Sequence, residues 1–180
     1  MSNERVIVQR GASKALIEAL TRMGQRIRSG PREDAQISPL ITSSSAERVI
    51  SLVKDAKSRG AEVLLGDLKH EGAYVKPHIV LGFEPGWRLW EEESFGPIFG
   101  IKVVDTEDEA IQLANRSDYS LIAALFTKDI EKGLKLSRRI RAGKSAYILI
   151  TPYRISSIGH VTINGPTYGL EPTLGVHGLG

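Results

Sequence analysis

Cysteine is missing altogether from this 180-residue chain. That excludes a disulfide scaffold, a thiolate zinc site and any cysteine nucleophile supplied by these residues. Aromatic residues make up only 6%. No apolar run approaches the roughly 18 residues that a membrane-spanning helix needs, so no membrane partner is expected. The opening MSNERVIVQRG has no apolar stretch behind a basic one, so no secretory leader is read there and a cytoplasmic location is expected. The composition also excludes a collagen, a coiled coil and a disordered acidic tail. What is present, 41% hydrophobic and 25% charged residues, is the balance of one globular domain with a real core.

The net charge of +3 comes from 24 Lys and Arg against 21 Asp and Glu. The basic residues are scattered. Their densest patch, Arg138-Arg139-Ile140-Arg141, falls in the last turns of a predicted helix, where cations suit the helix dipole and solvent. No binding motif accompanies the charge, so no nucleic-acid partner is expected. His70, His78, His160 and His177 lack metal-ligand spacing, and no metal site is assigned. Gly11, Gly175 and Gly178 do not form a phosphate loop.

Strand-like and helix-like patterns alternate along the chain. Residues 4–9 are a short β-branched strand. A helix capped by Ser13 and running to about Arg28 carries Leu16, Ile17, Leu20, Met23 and Ile27 at spacings of three and four, and Gly30-Pro31 stops it. A second helix, from Ser44 or Ser45 to about Arg59, turns Val49, Ile50, Leu52 and Val53 inward, with Gly60 as its C-cap. Residues 63–65 form a short buried strand. Residues 74–81, interrupted by Pro77, form an edge or bent strand. A strand over 98–104 leads to the capping box Thr106-Glu107-Asp108-Glu109 and a helix carrying Ala110, Ile111, Leu113 and Ala114. Residues 121–126 are nearly all apolar, as in a strand covered on both faces. A helix from about Ile130 to Ile140 follows, and 161–163 is the last strand. The alternation predicts an α/β open sheet. Trp87 and Trp90 are expected to pack in a loop, with an aldehyde entrance as the alternative, and Asn164 to cap or close a loop.

Some segments are more specific. Glu91-Glu92-Glu93-Ser94-Phe95-Gly96-Pro97 contains the pattern E-x-F-G-P. Behind it come Asp108-Glu109-Ala110-Ile111-Gln112-Leu113-Ala114-Asn115, then Tyr119-Ser120-Leu121 and Phe126-Thr127-Lys128-Asp129, and finally Val161-Thr162-Ile163-Asn164-Gly165-Pro166. In order and spacing these resemble the aldehyde dehydrogenase superfamily, with its E-x-F-G-P, Y-G-L, F-T-x-D and V-x-I-N-G stretches. The resemblance covers most of the chain. It implies an α/β open sheet of the aldehyde dehydrogenase catalytic-domain type, incomplete at both ends. It also implies NAD(P)-dependent oxidation of an aldehyde substrate to a carboxylic acid. The cofactor would be NAD or NADP, not held by this chain alone, and the expected partner is a homo-oligomer or an intact homologue.

The same resemblance implies site roles. The family's motif glutamate hydrogen-bonds the nicotinamide ribose hydroxyls, and the phenylalanine two residues later packs on the nicotinamide side. Here those are Glu93 and Phe95. A carboxylate can accept two hydroxyl protons, and an aromatic face can orient a flat ring. Taken alone, an acid in the run Glu91, Glu92, Glu93 reads as a solvated charge; the Phe-Gly-Pro tail turns the reading to the cofactor role. Both residues are expected in the crevice where open α/β sheets gather ligand groups. Gly96 and Pro97 are read as the turn into the next strand.

The family's cysteine nucleophile sits just before the strand that is residues 4–9 here. A common form of that junction is G-Q-x-C-M-S-x-E-R-V, whereas this chain opens Met1-Ser2-Asn3-Glu4-Arg5-Val6. The family's dinucleotide-binding domain, general-base glutamate and oxyanion asparagine lie on the same missing side. Its glycine-rich G-x-K-x-S-G-x-G segment and oligomerisation tail lie past Gly180. No catalytic residue is therefore assigned. The expectation is a truncated or wrongly delimited member, inactive as written. The alternatives are a portion of a longer active enzyme and a non-catalytic relic that binds an intact homologue.

Residues 144–159, KSAYILITPYRISSIG, interrupt the family pattern between Arg141-Ala142-Gly143 and His160-Val161. Two explanations compete. One is a loop insertion, unusually apolar for an exposed loop. The other is a retained intron: Gly143-Lys144-Ser145 can be encoded with a donor consensus, Ile158-Gly159 with an acceptor AG, and 16 residues correspond to a frame-preserving 48 nucleotides.

Two measurements test these expectations. The 180-residue chain by itself should form no NADH or NADPH from an aldehyde above blank; turnover at a thousandth of a typical rate of about 10 s⁻¹ would overturn this. Sequencing the transcript across Gly143 and His160 decides the second point, since a mature message that retains all 48 nucleotides rejects the intron.

Overall fold

In the computed structural model, which describes residues 4–118, 123–142 and 161–164, the β-branched run near the start forms strand β1, Arg5–Gln9. The chain divides into two compact units, Glu4–Ala110 and the part beginning at Ile111. The first unit continues with α1 (Arg10–Gly24), α2 (Ser43–Ser58), β2 (Glu62–Leu65), β3 (His70–Glu71), β4 (Tyr74–Val75), β5 (His78–Leu81), α3 (Arg88–Glu91) and β6 (Ile98–Val104). Its sheet has the order β1-β6-β5-β2. β6 runs parallel to both β1 and β5, and β2 runs antiparallel to β5. The α/β open sheet expected from the sequence is thus present.

Period-two alternation sorts the strand residues into two sets. Val8, Ile79 and Ile101 are buried with Leu16, Ile17 and Leu20 of α1 packed against them. Val80 and Ile98 have the opposite parity and are also buried. On that parity Gly100 meets Phe83: a Cβ at Gly100 would lie 2.5 Å from the phenyl ring. Phe83 stacks on Trp90 with ring centroids 5.1 Å apart, and both are fully buried. Trp90 is therefore core, inside the short helix α3, rather than a loop aromatic.

Helix α1 starts directly after β1, three residues before the expected cap. Ser13 lies in its first turn, donating its hydroxyl to the Arg10 carbonyl at 2.8 Å. The helix ends at Gly24, where a Cβ would come within 2.4 Å of Leu65. Turning Gly24 to the sheet places Met23, about 100° away on the helix, outward and 64% exposed. Ile27 lies beyond the helix. α2 matches expectation more closely: Thr42 caps it by accepting the Ser45 N–H at 3.1 Å, and Val49, Ile50, Leu52 and Val53 are buried.

The strand expected over 74–81 is two strands. Lys76 and Pro77 separate β4 from β5, and β5 is an interior strand between β6 and β2. Pro77 thus sits in a break, where its missing N–H costs no ladder bond.

Helix α4 (Glu107–Asn115) begins in the first unit. Thr106 Oγ1 accepts the Glu109 N–H at 3.1 Å, and Glu109 accepts the Asp105 N–H at 3.0 Å, a capping box whose glutamate reaches one residue past the threonine. In the second unit β7 (Ala123–Leu125) runs parallel to β8 (Val161–Ile163). Between them in sequence lies α5 (Ile130–Ser137), capped by Asp129. α5 stops short of Ile140. Arg141 lies beyond it and is structural: its guanidinium donates to the Asn115 and Ser117 carbonyls and its N–H to Asn115 Oδ1. Tyr119, Ser120, Leu121 and the 144–159 segment lie outside the described residues.

Among the described residues His78 is the buried histidine, 0% exposed. Nδ1–H donates to the Lys76 carbonyl at 2.7 Å, and Nε2 accepts the Leu68 N–H at 3.2 Å. This pairing requires the neutral ring. Burial pushes the His78 pKa below its ordinary value and the Lys76 charge adds to that; the Lys76 carbonyl bond and Asp67 oppose it. The native state then resists the proton that the unfolded chain takes up near pH 6.5. Stability should be full above about pH 6.5 and fall as pH drops from there toward the folded pKa, by at most about 1.4 kcal/mol per pH unit. Urea unfolding between pH 7.5 and 5 checks this. His78→Gln should flatten the slope, and an equal slope in the variant would refute the assignment.

Candidate functional site

The E-x-F-G-P segment connects α3 to β6, and its geometry is fixed from three directions. Ser94, only 2% exposed, is the hub. Its N–H donates to both oxygens of Glu4, at 2.9 and 2.8 Å, and its hydroxyl donates to Glu4 Oε1 at 2.9 Å. The next N–H, of Phe95, donates to the same Oε1 at 2.9 Å. From the other side the Arg48 guanidinium donates to the carbonyls of Glu93 and Ser94, at 3.0 and 2.8 Å, and pairs with Glu92 at 3.7 Å. Glu92 also pairs with Arg88 at 2.8 Å.

Two backbone features need these contacts. Phe95 has φ +48°, a left-handed conformation that a bulky residue rarely adopts and that costs on the order of 1–3 kcal/mol. Hydrogen bonds to a charged acceptor contribute about 1.5–3 kcal/mol each, so the donors converging on Glu4 are enough to hold it. At Gly96 a Cβ would lie 2.6 Å from Val49 on α2, so glycine lets the loop rest on that helix. The Gly96 carbonyl accepts the Ile98 N–H at 2.8 Å, and the Pro97 carbonyl accepts the His78 N–H, also at 2.8 Å. The expected turn into β6 is therefore present.

Glu93 is exposed. Phe95 is 76% exposed. The segment thus holds a carboxylate and, two residues on, an aromatic ring at the surface of a rigid loop. Arg5 lies close by and donates to the Trp90 carbonyl at 2.8 Å. Burial lowers its pKa, while Glu4, Glu91 and Glu93 oppose that shift; the acids are thus partly balanced by a half-buried cation.

The location differs from the crevice expected for an open sheet. That crevice lies outside the carboxyl ends of the strands, whereas this loop enters β6 at its amino end, beside the amino ends of the parallel strands β1 and β5. The segment is a helix-to-strand connection, so the rule for strand-to-helix turns does not apply.

Glu4 and Arg48 were not legible as site residues. Glu4 reads as the start of a strand, and Arg48 as a polar position on α2. Their common target is 90 and 46 residues away, and only the β1–β6 pairing and the packing of α2 bring them together. Asn164 closes a loop, as expected: its side chain accepts the Thr127 N–H at 2.8 Å and donates to the Thr127 carbonyl at 2.7 Å. Trp87 is half-buried with the Arg59 guanidinium 5.9 Å from its ring centre. Among the described residues no cluster of three or more His, Asp or Glu side chains is arranged to hold a metal.

The fold has counterparts in known proteins. The model of the aldehyde dehydrogenase family matches residues 1–156. Chloroplastic betaine aldehyde dehydrogenase of Atriplex hortensis is 30% identical over an alignment of 148 residues that covers 79% of this chain and 30% of that protein. Rat (Rattus norvegicus) 4-trimethylaminobutyraldehyde dehydrogenase is 34% identical over an alignment of 165 residues that covers 86% of this chain and 33% of that protein. Among solved structures, NADP-dependent glyceraldehyde-3-phosphate dehydrogenase from Bacillus halodurans C-125, complexed with NADP, superposes with a TM-score of 0.77 at 31% identity. It covers 92% of this chain, which spans 31% of that one. The chain thus spans about 30% of the length of the curated relatives it matches, and it belongs to the aldehyde dehydrogenase family.

Proposed function

We propose that this chain carries the nicotinamide-facing part of the cofactor site of an NAD(P)-dependent aldehyde dehydrogenase, with Glu93 as the ribose ligand and Phe95 as the wall beside the nicotinamide. The observation that supports this best is Phe95 itself. A phenyl ring left 76% exposed on a left-handed backbone forgoes about 1.5–3 kcal/mol of burial as well as the conformational cost. Such an arrangement is recovered when a flat apolar partner packs on the ring.

The residues present fit that group. The exposed Glu93 carboxylate has lone pairs for two vicinal hydroxyls, and its position is set because its own carbonyl is tied to Arg48. The Phe95 ring excludes water from the surface it covers. The bound nicotinamide supplies the hydride acceptor for oxidation of an aldehyde to a carboxylic acid. The work of this chain is positioning. It holds the ribose end and the ring so that the distance over which hydride moves is short and reproducible. The nucleophile for such chemistry is not among these residues, which include no cysteine.

The test is Glu93→Gln in a complete relative carrying this segment, followed by pre-steady-state formation of NADH. Losing a charged hydrogen bond of about 1.5–3 kcal/mol should slow hydride transfer roughly 10- to 100-fold, while the thermal midpoint stays put because the volume is conserved. An unchanged rate with a lowered midpoint would make Glu93 a structural acid and remove the cofactor assignment.

A further inference from the structure

We propose that Glu4 and Arg48 are positioning residues for this loop, a pair of opposite charges that fixes two successive peptide planes and thereby sets where Glu93 and Phe95 point. The proposal rests on the cofactor assignment above for its purpose, and on the geometry alone for its mechanism.

The peptide unit joining Glu93 to Ser94 gives its carbonyl oxygen to Arg48 and its N–H to Glu4. The next unit, joining Ser94 to Phe95, does the same: carbonyl to Arg48, N–H to Glu4. Each plane is gripped at both ends by groups of opposite charge. Rotating either plane by half a turn would aim a carbonyl oxygen at the Glu4 carboxylate and an N–H at the Arg48 guanidinium, so both ends become repulsive together. Rotation of the second plane is the one that would release Phe95 from its left-handed φ, and either rotation would swing the side chains of Glu93 and Phe95 relative to each other. The Ser94 hydroxyl adds a third donor to Glu4, and Val49 beneath Gly96 fixes the height of the loop over α2. Glu4 and Arg48 bond to the backbone and Ser94 of the loop, and Arg48 also pairs with Glu92, so they act through Glu93 and Phe95.

The experiment uses the full chain labelled with 4-fluorophenylalanine, which places fluorine at the four phenylalanines. The Phe95 resonance is assigned with Phe95→Leu, and nicotinamide mononucleotide is the binding probe. Glu4→Gln keeps the size of the side chain but turns an amide NH₂ toward donors that need acceptors. Arg48→Met keeps the length and removes the donors. Each should shift or broaden the Phe95 resonance while that of the buried Phe83 stays sharp, and each should weaken the probe at least about fivefold. Arg48→Lys, with one point charge in place of a fork, should restore part of both effects. Glu93→Gln should weaken the probe without moving the Phe95 fluorine. If Glu4→Gln and Arg48→Met lower only the thermal midpoint, and the Phe95 signal and probe affinity match the parent chain, the proposal is overturned. If Glu4→Gln collapses the Phe83 signal, the Arg48 pair decides by the same criteria. If the parent chain fails to bind the probe, the Phe95 fluorine alone decides the clamp, and the cofactor assignment stands or falls on Glu93→Gln in the complete relative.

Discussion

The parallel pairing of β1 with β6 is the contact on which the rest of the first unit depends. Val6 lies opposite Ile101, Val8 opposite Val103 and Gln9 opposite Val104. Parallel neighbours cannot be joined by a tight hairpin, so this pairing closes a loop that holds nearly the whole unit. Its register has a side effect at the strand ends. The Glu4 carbonyl accepts the Gly100 N–H at 2.9 Å, and this anchors the backbone of Glu4 beside the entry to β6. A slip by one residue would turn Val6 and Val8 away from α1 and would also withdraw the carboxylate from Ser94 and Phe95. Core packing and loop geometry are therefore set by the same choice of register.

Charge is used sparingly around that loop and in balanced pairs. Glu4 faces amide donors, Arg48 faces carbonyl acceptors, and Arg5 sits in a half-buried place with Glu4, Glu91 and Glu93 near it. Glu92 ties Arg48 to Arg88. The acidic run Glu91, Glu92, Glu93 consequently has divided duties. Glu91 accepts the Gly86 N–H at 2.7 Å, Glu92 holds arginines, and Glu93 alone projects a carboxylate to solvent without one of these structural tasks. That division is what singles out the third acid of the run, independently of the motif in which it stands.

What was legible in the sequence follows from the range over which each signal acts. The inward face of α2, the Thr106 capping box and the strand at 98–104 are local patterns, set by residues three or four apart, and they stand where the spacing puts them. The errors are tertiary. Ser13 looks like a cap, but β1 hands the chain to α1 without a gap, so the helix has already begun. Residues 74–81 look like one bent edge strand, yet Pro77 merely separates two strands, and the second is interior because β6 and β2 flank it. Trp90 looks like a loop aromatic because nothing local announces that Phe83 will lie against it. Glu93 and Phe95, the proposed cofactor contacts, could be singled out because a motif resemblance carried them. Glu4 and Arg48 could not, because a carboxylate at a strand start and an arginine on a helix are the commonest of surface residues until the register and the helix packing bring them to one loop.

The three non-glycine residues with positive φ among those described, Leu68, Phe95 and Asn164, show why that clamp is informative. Asn164 is the kind of residue that adopts the left-handed region readily, and its own amide bonds both the N–H and the carbonyl of Thr127. Leu68 has no such group, and its N–H is met by the buried ring of His78. Phe95 has none either, and its N–H is met by Glu4. Leu68 lies in a turn where the imidazole serves the core. Phe95 lies on the surface, and its ring contributes little to packing in the unit that holds it. Glycine or asparagine at that position would take up the same φ at lower cost. A phenylalanine held there by two charged side chains recruited from β1's entry and from α2 makes physical sense when the ring meets a group outside the chain, which is the role proposed for it above beside Glu93.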